Sequence, residues 1–319
     1  SMASTLLKFS GVRSSTPSST SNASISSVTQ TADALRREGK EVLVFSIGRP
    51  DFDTPEHIKS AANDALAKGF VHYTHNRGIL PMREAVAAYL KRQNGLDYDP
   101  KTEIMITAGA QEALMLCTHA LLDPGDEVLV PSPGFLLYYS SIPMLHAVPV
   151  PYVLKEPDYD WDGAPVSDRT KLMIFNNPNN PTGRLLPLPL LEQILQCCAA
   201  WDARVFLDEC FLDLTEGGVS AKSLLAAHPE LLILKAFTKS YGMAGIRLGY
   251  CLCADSALLR RMASASQPWN VSSLAQSAGV AALAERDFLQ RTLSLVRTER
   301  RWLTDNLTAL GFWVCPSHA

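Results

Sequence analysis

The chain has 319 residues, of which 47% are hydrophobic, and its formal net charge is −3 at pH 7. This length and composition allow one large domain or two moderate domains with a sizeable core. The slightly acidic balance gives no electrostatic basis for binding nucleic acid or an anionic membrane, and no apolar run is long enough to span a bilayer. We therefore expect neither nucleic acid nor a membrane among the partners.

The seven cysteines and the N-terminal segment bear on the cellular compartment. The cysteine count is odd and no Cys-x-x-Cys pair occurs, so we interpret the thiols as reduced core residues of an intracellular, cytoplasmic protein, with no metal site. Residues 1–27 are rich in Ser and Thr and contain no acidic residue. This composition fits either an organelle transit peptide or a flexible arm, and the small number of basic residues favours the arm.

Apolar periodicity predicts the secondary structure in chain order. A helix over 25–39 and a short strand over 42–47 come first, followed by a helix that starts at Pro55 with Thr54 as its N-cap. A helix over 80–93 follows. From residue 103 onwards short apolar strands alternate with helices, which predicts a mainly parallel sheet covered by helices. The predicted strands of this part are 104–107, 127–131, 171–175, 204–207, 231–237 and a last one ending at 253.

Four residues next to these strands suggest chemistry. Lys239 follows a buried strand, so desolvation should lower the pKa of its amine and supply a neutral nucleophile for a carbonyl cofactor. Arg247 offers a bidentate fork suited to phosphate. Gly109 opens a helix whose free N–H groups favour an anion, and Asp208 ends an apolar strand where a carboxylate needs a cationic partner. Each feature alone also fits an ordinary turn, and only their combination favours a site.

These stretches together resemble the motifs of the fold-type I pyridoxal-phosphate (PLP) enzymes of the class I/II aminotransferase superfamily. The phrases that carry the resemblance are GRPDFDTP (48–55), YTHNRG (73–78), NNPNNPTG (176–183), DECF (208–211) and AFTKSYGMAGIRLGY (236–250). The resemblance covers about residues 25–319. It implies PLP as the cofactor, a sheet of the seven-stranded type sandwiched by helices, and a homodimer with its sites at the subunit interface.

The resemblance also implies a role for individual residues. Lys239 would form an aldimine with PLP and move a proton between the substrate Cα and the cofactor. Asp208 would hold the pyridine nitrogen, Phe135 would stack on the ring, and Asn180 would contact both the phenolic oxygen and the substrate. Gly48 would lie beside the substrate carboxylate. The residues implied to bind the cofactor phosphate are Gly109, Ala110, Gln111, Thr238, Arg247 and Tyr73 of the partner subunit.

The sequence departs from the family pattern at two positions. Phe211 stands where a tyrosine is usual, so it lacks a hydroxyl for the phenolic oxygen, and Ala236 stands where Ser or Thr is usual. The later motifs resemble the histidinol-phosphate aminotransferase and threonine-phosphate decarboxylase branch, whereas the N-terminal third resembles aspartate-type aminotransferases.

The resemblance also implies three domains: an N-terminal arm and helix (1–47), a large PLP-binding domain (48–254) and an incomplete small α/β domain (255–319). The carboxylate-binding arginine of the small domain would follow residue 319.

We therefore predict a PLP-dependent aminotransferase of amino acid metabolism that transfers an amino group between an amino acid and a 2-oxo acid. Two alternatives remain open. One is decarboxylation of a phosphorylated amino acid, which Phe211 motivates. The other is a non-catalytic PLP-binding protein, which the missing arginine motivates. The motifs do not specify the amino donor.

Overall fold

The computed structural model describes residues 25–44, 48, 50 and 52–319. By its internal contacts the chain divides into two units, of which the first ends at Arg49 and the second begins at Pro50. The first unit contains helix α1 (Ile25–Arg37), and Gly39 follows it with a φ of 77°. Residues 42–44 do not form the predicted strand, because none of the strands in the described part of the chain pairs with them. The rest of that prediction, residues 45–47, lies outside the described residues.

The second unit alternates helices and strands. Its α-helices are α2 (Glu56–Ala67), α3 (Leu80–Asn94), α4 (Ala110–Leu121), α5 (Leu136–Ser141), α6 (Leu188–Ala200), α7 (Phe237–Ser240), α8 (Ser256–Ala265), α9 (Ser273–Ala284) and α10 (Phe288–Ala309). Its strands are β1 (Ile104–Thr107), β2 (Glu127–Ser132), β3 (Val148–Lys155), β4 (Asp160–Trp161), β5 (Thr170–Asn176), β6 (Arg204–Asp208), β7 (Leu231–Ala236) and β8 (Gly249–Cys253). None of the helices among the described residues is long and apolar enough to cross a membrane.

The strands form one sheet in the order β1-β8-β7-β6-β5-β2-β3-β4. The five strands from β7 to β3 pair in parallel, while β8 runs antiparallel to both of its neighbours, β1 and β7. The two-residue strand β4 pairs antiparallel with β3 at the end of the sheet. The predicted mainly parallel sheet is therefore confirmed, with β4 as a short addition.

Strand β3 is a long strand that the sequence pattern did not predict. Its sequence begins VPVP, and proline lacks the N–H that a central strand donates to a neighbour. In the fold β3 pairs along its length with β2, whereas only Leu154 and Lys155 pair with β4 on the other side. Pro149 and Pro151 therefore lie where the strand has an open edge, which tolerates the missing donors.

Side chains alternate between two hydrophobic cores on the two faces of the sheet. In β5, for example, Met173 and Phe175 join one core and Leu172 and Ile174 join the other. The first core packs against α2, α3, α6 and α9, and the second against α4, α5 and α8. Helices therefore cover both faces, as a buried parallel sheet requires. Asp208, at the end of β6, and the segments that carry Asn180 and Lys239 lie at the carboxyl-terminal edge of the sheet.

Candidate active site

The sheet register brings the predicted motifs to one edge. Thr107 at the end of β1 and Ala236 at the end of β7 both pair with Gly249, the first residue of the antiparallel strand β8. On the other side of β7, Leu234 pairs with Asp208, which pairs with Asn176. Segments that follow β1, β5, β6 and β7, and the turn that precedes β8, therefore meet at the same edge of the sheet.

Lys239 lies in the one-turn helix α7, directly after β7, and its side chain is half-buried. Partial burial lowers the pKa of its amine below the ordinary lysine value, and the nearby Cys210 thiol opposes this shift. The Nζ atom lies 5.6 Å from the centroid of the Phe211 ring. Thr238 precedes Lys239 in the same turn. The position of α7 against the apolar end of β6 thus accounts for the desolvation expected from the sequence.

Asp208 is a buried carboxylate at the end of β6. Its Oδ2 accepts a hydrogen bond from the Tyr138 hydroxyl at 2.8 Å, and its Oδ1 accepts one from the Cys210 amide at 2.9 Å. Both donors are neutral, so no cationic side chain in the described part of the chain balances this charge at hydrogen-bonding distance. A buried carboxylate in this setting fits a cationic group supplied by a ligand, such as a protonated pyridine nitrogen.

Tyr138 connects Asp208 with Phe135. The Phe135 residue precedes α5, and its ring packs edge-on against the Tyr138 ring with 5.5 Å between centroids. Burial, together with the charge and hydrogen bond of Asp208, raises the pKa of Tyr138 well above its ordinary value, so the hydroxyl stays a donor. Local sequence pattern did not indicate a role for Tyr138, because its partner Asp208 is 70 residues away in the chain.

Gly109 and Arg247 form a cradle for an anion. Gly109 is the N-cap of α4 with a φ of 86°, and a Cβ added there would lie 2.6 Å from Arg247 Nη2. The guanidinium donates to the Ala244 carbonyl at 3.0 Å and forms no ion pair with a carboxylate of the described residues. Ala110 and Gln111 begin α4, so their N–H groups belong to its positive end. A helix terminus beside an unpaired guanidinium fits a phosphate group.

Glu112 supports the cradle, a role that was not predicted from the sequence. Its Oε2 accepts from the Ala108 amide at 2.6 Å and from the Asn270 side-chain amide at 2.9 Å. The carboxylate thus ties the turn between β1 and α4 to a segment that lies 158 residues further along the chain. The stretch AGAQE (108–112) gives no sign of such a contact, and only the fold reveals it.

The loop 176–184 carries Asn180. The Asn180 amide donates to Asn176 Oδ1, the Asn179 amide donates to the Arg184 carbonyl, and Thr182 Oγ1 donates to Asn179 Oδ1. These bonds hold the loop as one unit. The side-chain amide of Asn180 has no hydrogen-bond partner among the described residues, so it is available to a ligand.

Thr54 corrects one prediction. It is not the N-cap of α2, because Pro55 occupies that position and no side chain caps the helix. Instead Thr54 Oγ1 donates to the Gly242 carbonyl at 2.8 Å, and Gly242 has a φ of 65°. The hydroxyl that a local pattern predicted as a cap therefore holds the glycine turn that follows Lys239.

An ion pair between a buried lysine and a partly buried aspartate lies next to the same turn. Lys235 Nζ donates to Asp213 Oδ1 at 2.7 Å, and the hydroxyl of Ser240, next to Lys239, donates to Asp213 Oδ2 at 3.3 Å. Burial alone would raise the pKa of Asp213, but the charge of Lys235 holds it below its ordinary value. The pair was not predicted, because Lys235 lies within an apolar strand and Asp213 in a separate loop.

Tyr73 lies on the surface rather than in the cradle. Its side chain is 79% exposed and stacks on Trp269, with ring centroids 4.1 Å apart and an interplanar angle of 17°. Trp269 is itself 54% exposed, and its amide donates to Asn76 Oδ1. Gly48 belongs to the first unit, and its role stays a prediction.

The fold and the edge site define a PLP-dependent transferase. The sequence model of the family "Aminotransferase class I and II" matches residues 40–319. The chain belongs to this family, whose members use PLP to move amino groups between amino acids and 2-oxo acids. The predicted fold, cofactor and aminotransferase activity are thereby confirmed, whereas the roles of individual residues stay predictions.

Named relatives agree with this assignment. The aspartate/prephenate aminotransferase of Thermus thermophilus is 36% identical over 288 residues, which cover 87% of this chain and 74% of that protein. The aromatic-amino-acid aminotransferase 2 of Thermococcus litoralis is 38% identical over 229 residues, or 69% of this chain and 59% of that protein. The structure of the Thermus thermophilus aspartate aminotransferase with maleate gives a TM-score of 0.84 at 33% identity, covering 93% of this chain and 80% of that one.

Proposed function

We propose that Lys239 is the residue that carries PLP in this aminotransferase and that the same residue moves the substrate proton. One observation carries the proposal: a desolvated lysine, an anion cradle and a buried carboxylate that no cation of the described residues pairs with meet at one edge of the sheet. PLP presents an aldehyde, a pyridine nitrogen and a phosphate, which are the groups that these three features suit.

Lys239 performs two tasks in this proposal. Its lowered pKa leaves a larger neutral fraction of the amine for attack on the cofactor carbonyl. With substrate and cofactor bound, the Lys239 amine would accept the proton from the substrate Cα and hold it for return. When bound, PLP supplies a pyridine ring that accepts the electrons left at Cα.

Three side chains hold the ring. Asp208 would accept a hydrogen bond from the protonated pyridine nitrogen, and the hydrogen bond from Tyr138 fixes the orientation of that carboxylate. Asn180 donates its side-chain amide to the phenolic oxygen and contacts the substrate. Phe135 covers one face of the ring, a position supported by its contact with Tyr138. The residues proposed to hold the phosphate are Gly109, Ala110, Gln111, Thr238, Arg247 and Tyr73 of the partner subunit.

The test is a spectrum of the purified protein with PLP, before and after a mixture of amino acids. Wild-type protein should develop the visible band of lysine-bound PLP, and amino acids should replace this band with that of the aminated cofactor. Lys239→Ala should show neither change, while the exposed control Lys101→Ala should behave as wild type. A normal band in Lys239→Ala would overturn the assignment of Lys239.

We further propose that the enzyme is a homodimer in which Tyr73 acts on the partner's cofactor phosphate. The support is the exposed Tyr73–Trp269 stack, because two large aromatic rings in contact on a surface are typical of protein interfaces.

A mixing experiment tests this arrangement. Lys239→Ala and Tyr73→Ala chains are unfolded, mixed and refolded together, and turnover is measured at limiting PLP. A mixed dimer has one site with both residues intact only if Tyr73 acts across the interface. Random mixing should then restore about a quarter of wild-type activity, because half of the dimers are mixed and each has one intact site. Activity no higher than the average of the two parents would contradict the exchange.

The compartment and the domain boundaries complete the proposal. We assign the enzyme to the cytoplasm, which the free buried thiols Cys117, Cys198 and Cys210 support.

We assign Gly48 to the substrate carboxylate, and we assign residues 48–254 to the large domain. Limited proteolysis that cleaves between residues 250 and 260 would support the boundary, and cleavage only elsewhere would contradict it.

A further inference from the structure

A cavity of about 330 Å³ lies beside the loop that carries Asn180. Its wall includes neither Lys239 nor Asp208 nor Arg247, so it is separate from the cofactor groups described above. This volume falls within the usual range for small-ligand pockets. The cavity therefore has room for a ligand of about the size of a substituted benzene ring.

One side of the cavity is aromatic. Tyr152, Trp161 and Phe175 come from strands β3, β4 and β5, and their ring centroids are 5.0 to 5.4 Å apart. The Tyr152 hydroxyl is already bonded to the Ile174 carbonyl, so this wall offers ring surface and little hydrogen bonding. Such a surface favours a flat, apolar or aromatic body.

One wall of the cavity carries a cationic side chain. Arg184 lines the wall, and its Nη2 donates to Asp160 Oδ1 at 3.1 Å. Asp160 is 72% exposed, so this ion pair lies at the surface and is weak. The Nε atom of Arg184 is buried and has no hydrogen-bond partner in the described part of the chain. A carboxylate is the group whose two oxygens match such a guanidinium edge.

The same residues hold the Asn180 loop. Asn176 and Asn179 both line the cavity, and Asn176 Oδ1 accepts the amide of Asn180. The Asn179 amide donates to the Arg184 carbonyl at 2.8 Å. A ligand that restrains Arg184 and Asn179 therefore restrains the loop that presents Asn180, although it does not touch the cofactor.

We propose that this cavity binds a small aromatic carboxylate, with its ring against Trp161 and its carboxylate on Arg184, and that its occupancy changes the affinity of the enzyme for PLP through Asn180. The binding step stands by itself. The effect on PLP rests on the proposed role of Asn180, and it is reciprocal, because coupling between two ligands changes both affinities by the same factor.

Calorimetry with phenylacetate tests the binding step on the PLP-loaded enzyme and on the cofactor-free chain. Arg184→Gln should weaken phenylacetate binding at least tenfold, and Trp161→Leu should weaken it as well. Arg301→Gln makes the same change on the exposed face of α10 and should leave binding within twofold. Benzyl alcohol, which keeps the ring, and acetate, which keeps the charge, should each bind far more weakly. Unchanged binding of phenylacetate to Arg184→Gln would overturn the site, since the acid would then occupy the catalytic centre.

A PLP titration with and without phenylacetate tests the coupling. In wild type the dissociation constant of PLP should shift, and in Arg184→Gln it should not respond. Equal responses in both proteins would place the acid at the cofactor and overturn the proposal. No response in either protein would remove the coupling but leave the calorimetric site. A failure of the Lys239 assignment can be distinguished from a failure of the phenylacetate site, because calorimetry on the cofactor-free chain does not depend on PLP.

Discussion

The guanidinium of Arg247 occupies the space into which any side chain at Gly109 would project, with 2.6 Å between Nη2 and an added Cβ. Gly109 also has a φ of 86°, a conformation that favours glycine. Both facts have one consequence: the helix terminus and the arginine approach closely enough to share a single anion.

We predict that Gly109→Ala weakens PLP binding by about tenfold or more, because the new methyl group displaces Arg247 from the cradle. A PLP titration followed by absorption measures this loss. Gly125→Ala is the matched control, since Gly125 has a φ of 91° but nothing within 4 Å of an added Cβ. It should lose about 1 kcal/mol of stability from backbone strain and keep its PLP affinity. Equal PLP affinities in the two variants would contradict a role of the cradle.

We predict that Tyr138→Phe lowers kcat by about tenfold with little change in fold, because Asp208 loses one of its two hydrogen bonds and its fixed orientation. Steady-state kinetics measures the effect. Tyr152→Phe removes the same group from another fully buried tyrosine whose hydroxyl donates to a backbone carbonyl. This control should change stability by a similar amount without lowering kcat. Equal kcat losses would mean that the effect is structural.

We predict that PLP capture by the protein responds to pH as the lowered pKa of Lys239 requires. The neutral amine attacks, so the capture rate rises with pH and levels off above the pKa of the amine. Because burial lowers that pKa, the midpoint should fall below 10.5, the ordinary value for lysine. Stopped-flow absorption over a pH series gives the midpoint, and a lysine derivative in free solution is the reference. A midpoint equal to that of the reference would contradict the desolvation of Lys239.

We predict that Asp213→Asn destabilises the protein by about 3 to 5 kcal/mol, because it leaves the buried Lys235 ammonium without its partner. Urea denaturation measures the change. Asp97→Asn breaks an exposed pair with Lys91 and should cost no more than about 1 kcal/mol. Similar losses in the two variants would show that Lys235 is not effectively buried.

The pH dependence of this pair follows from the direction of the shift. The pKa of Asp213 lies below its ordinary value of 3.8, so its stabilising contribution is complete above that value and is lost as the pH falls through the lowered one. Asp213→Asn should therefore lose less stability at low pH than at pH 7. A difference between wild type and variant that does not shrink in acid would contradict this contribution.

Local pattern was sufficient for most elements of the fold. Strand β1 has the predicted bounds, and the predicted helix over 80–93 differs from α3 by one residue. Both could be predicted because the apolar periodicity and the turn residues that define such an element lie within a few residues of one another in the sequence. Strand β3 was missed for the same reason: its prolines oppose a central strand, and only the sheet order shows that β3 has an open edge.

The sequence by itself determined the class of the protein. The sequence motifs around Asn180, Asp208 and Lys239 each lie within a few consecutive residues, and together they predicted the cofactor and the activity. Only the tertiary structure decided which groups support them. Tyr138 reaches Asp208 across 70 positions, and Thr54 reaches Gly242 across 188. Such contacts depend on strand order and helix packing, which arise from burying apolar surface over the whole chain and leave no periodic signal at either partner.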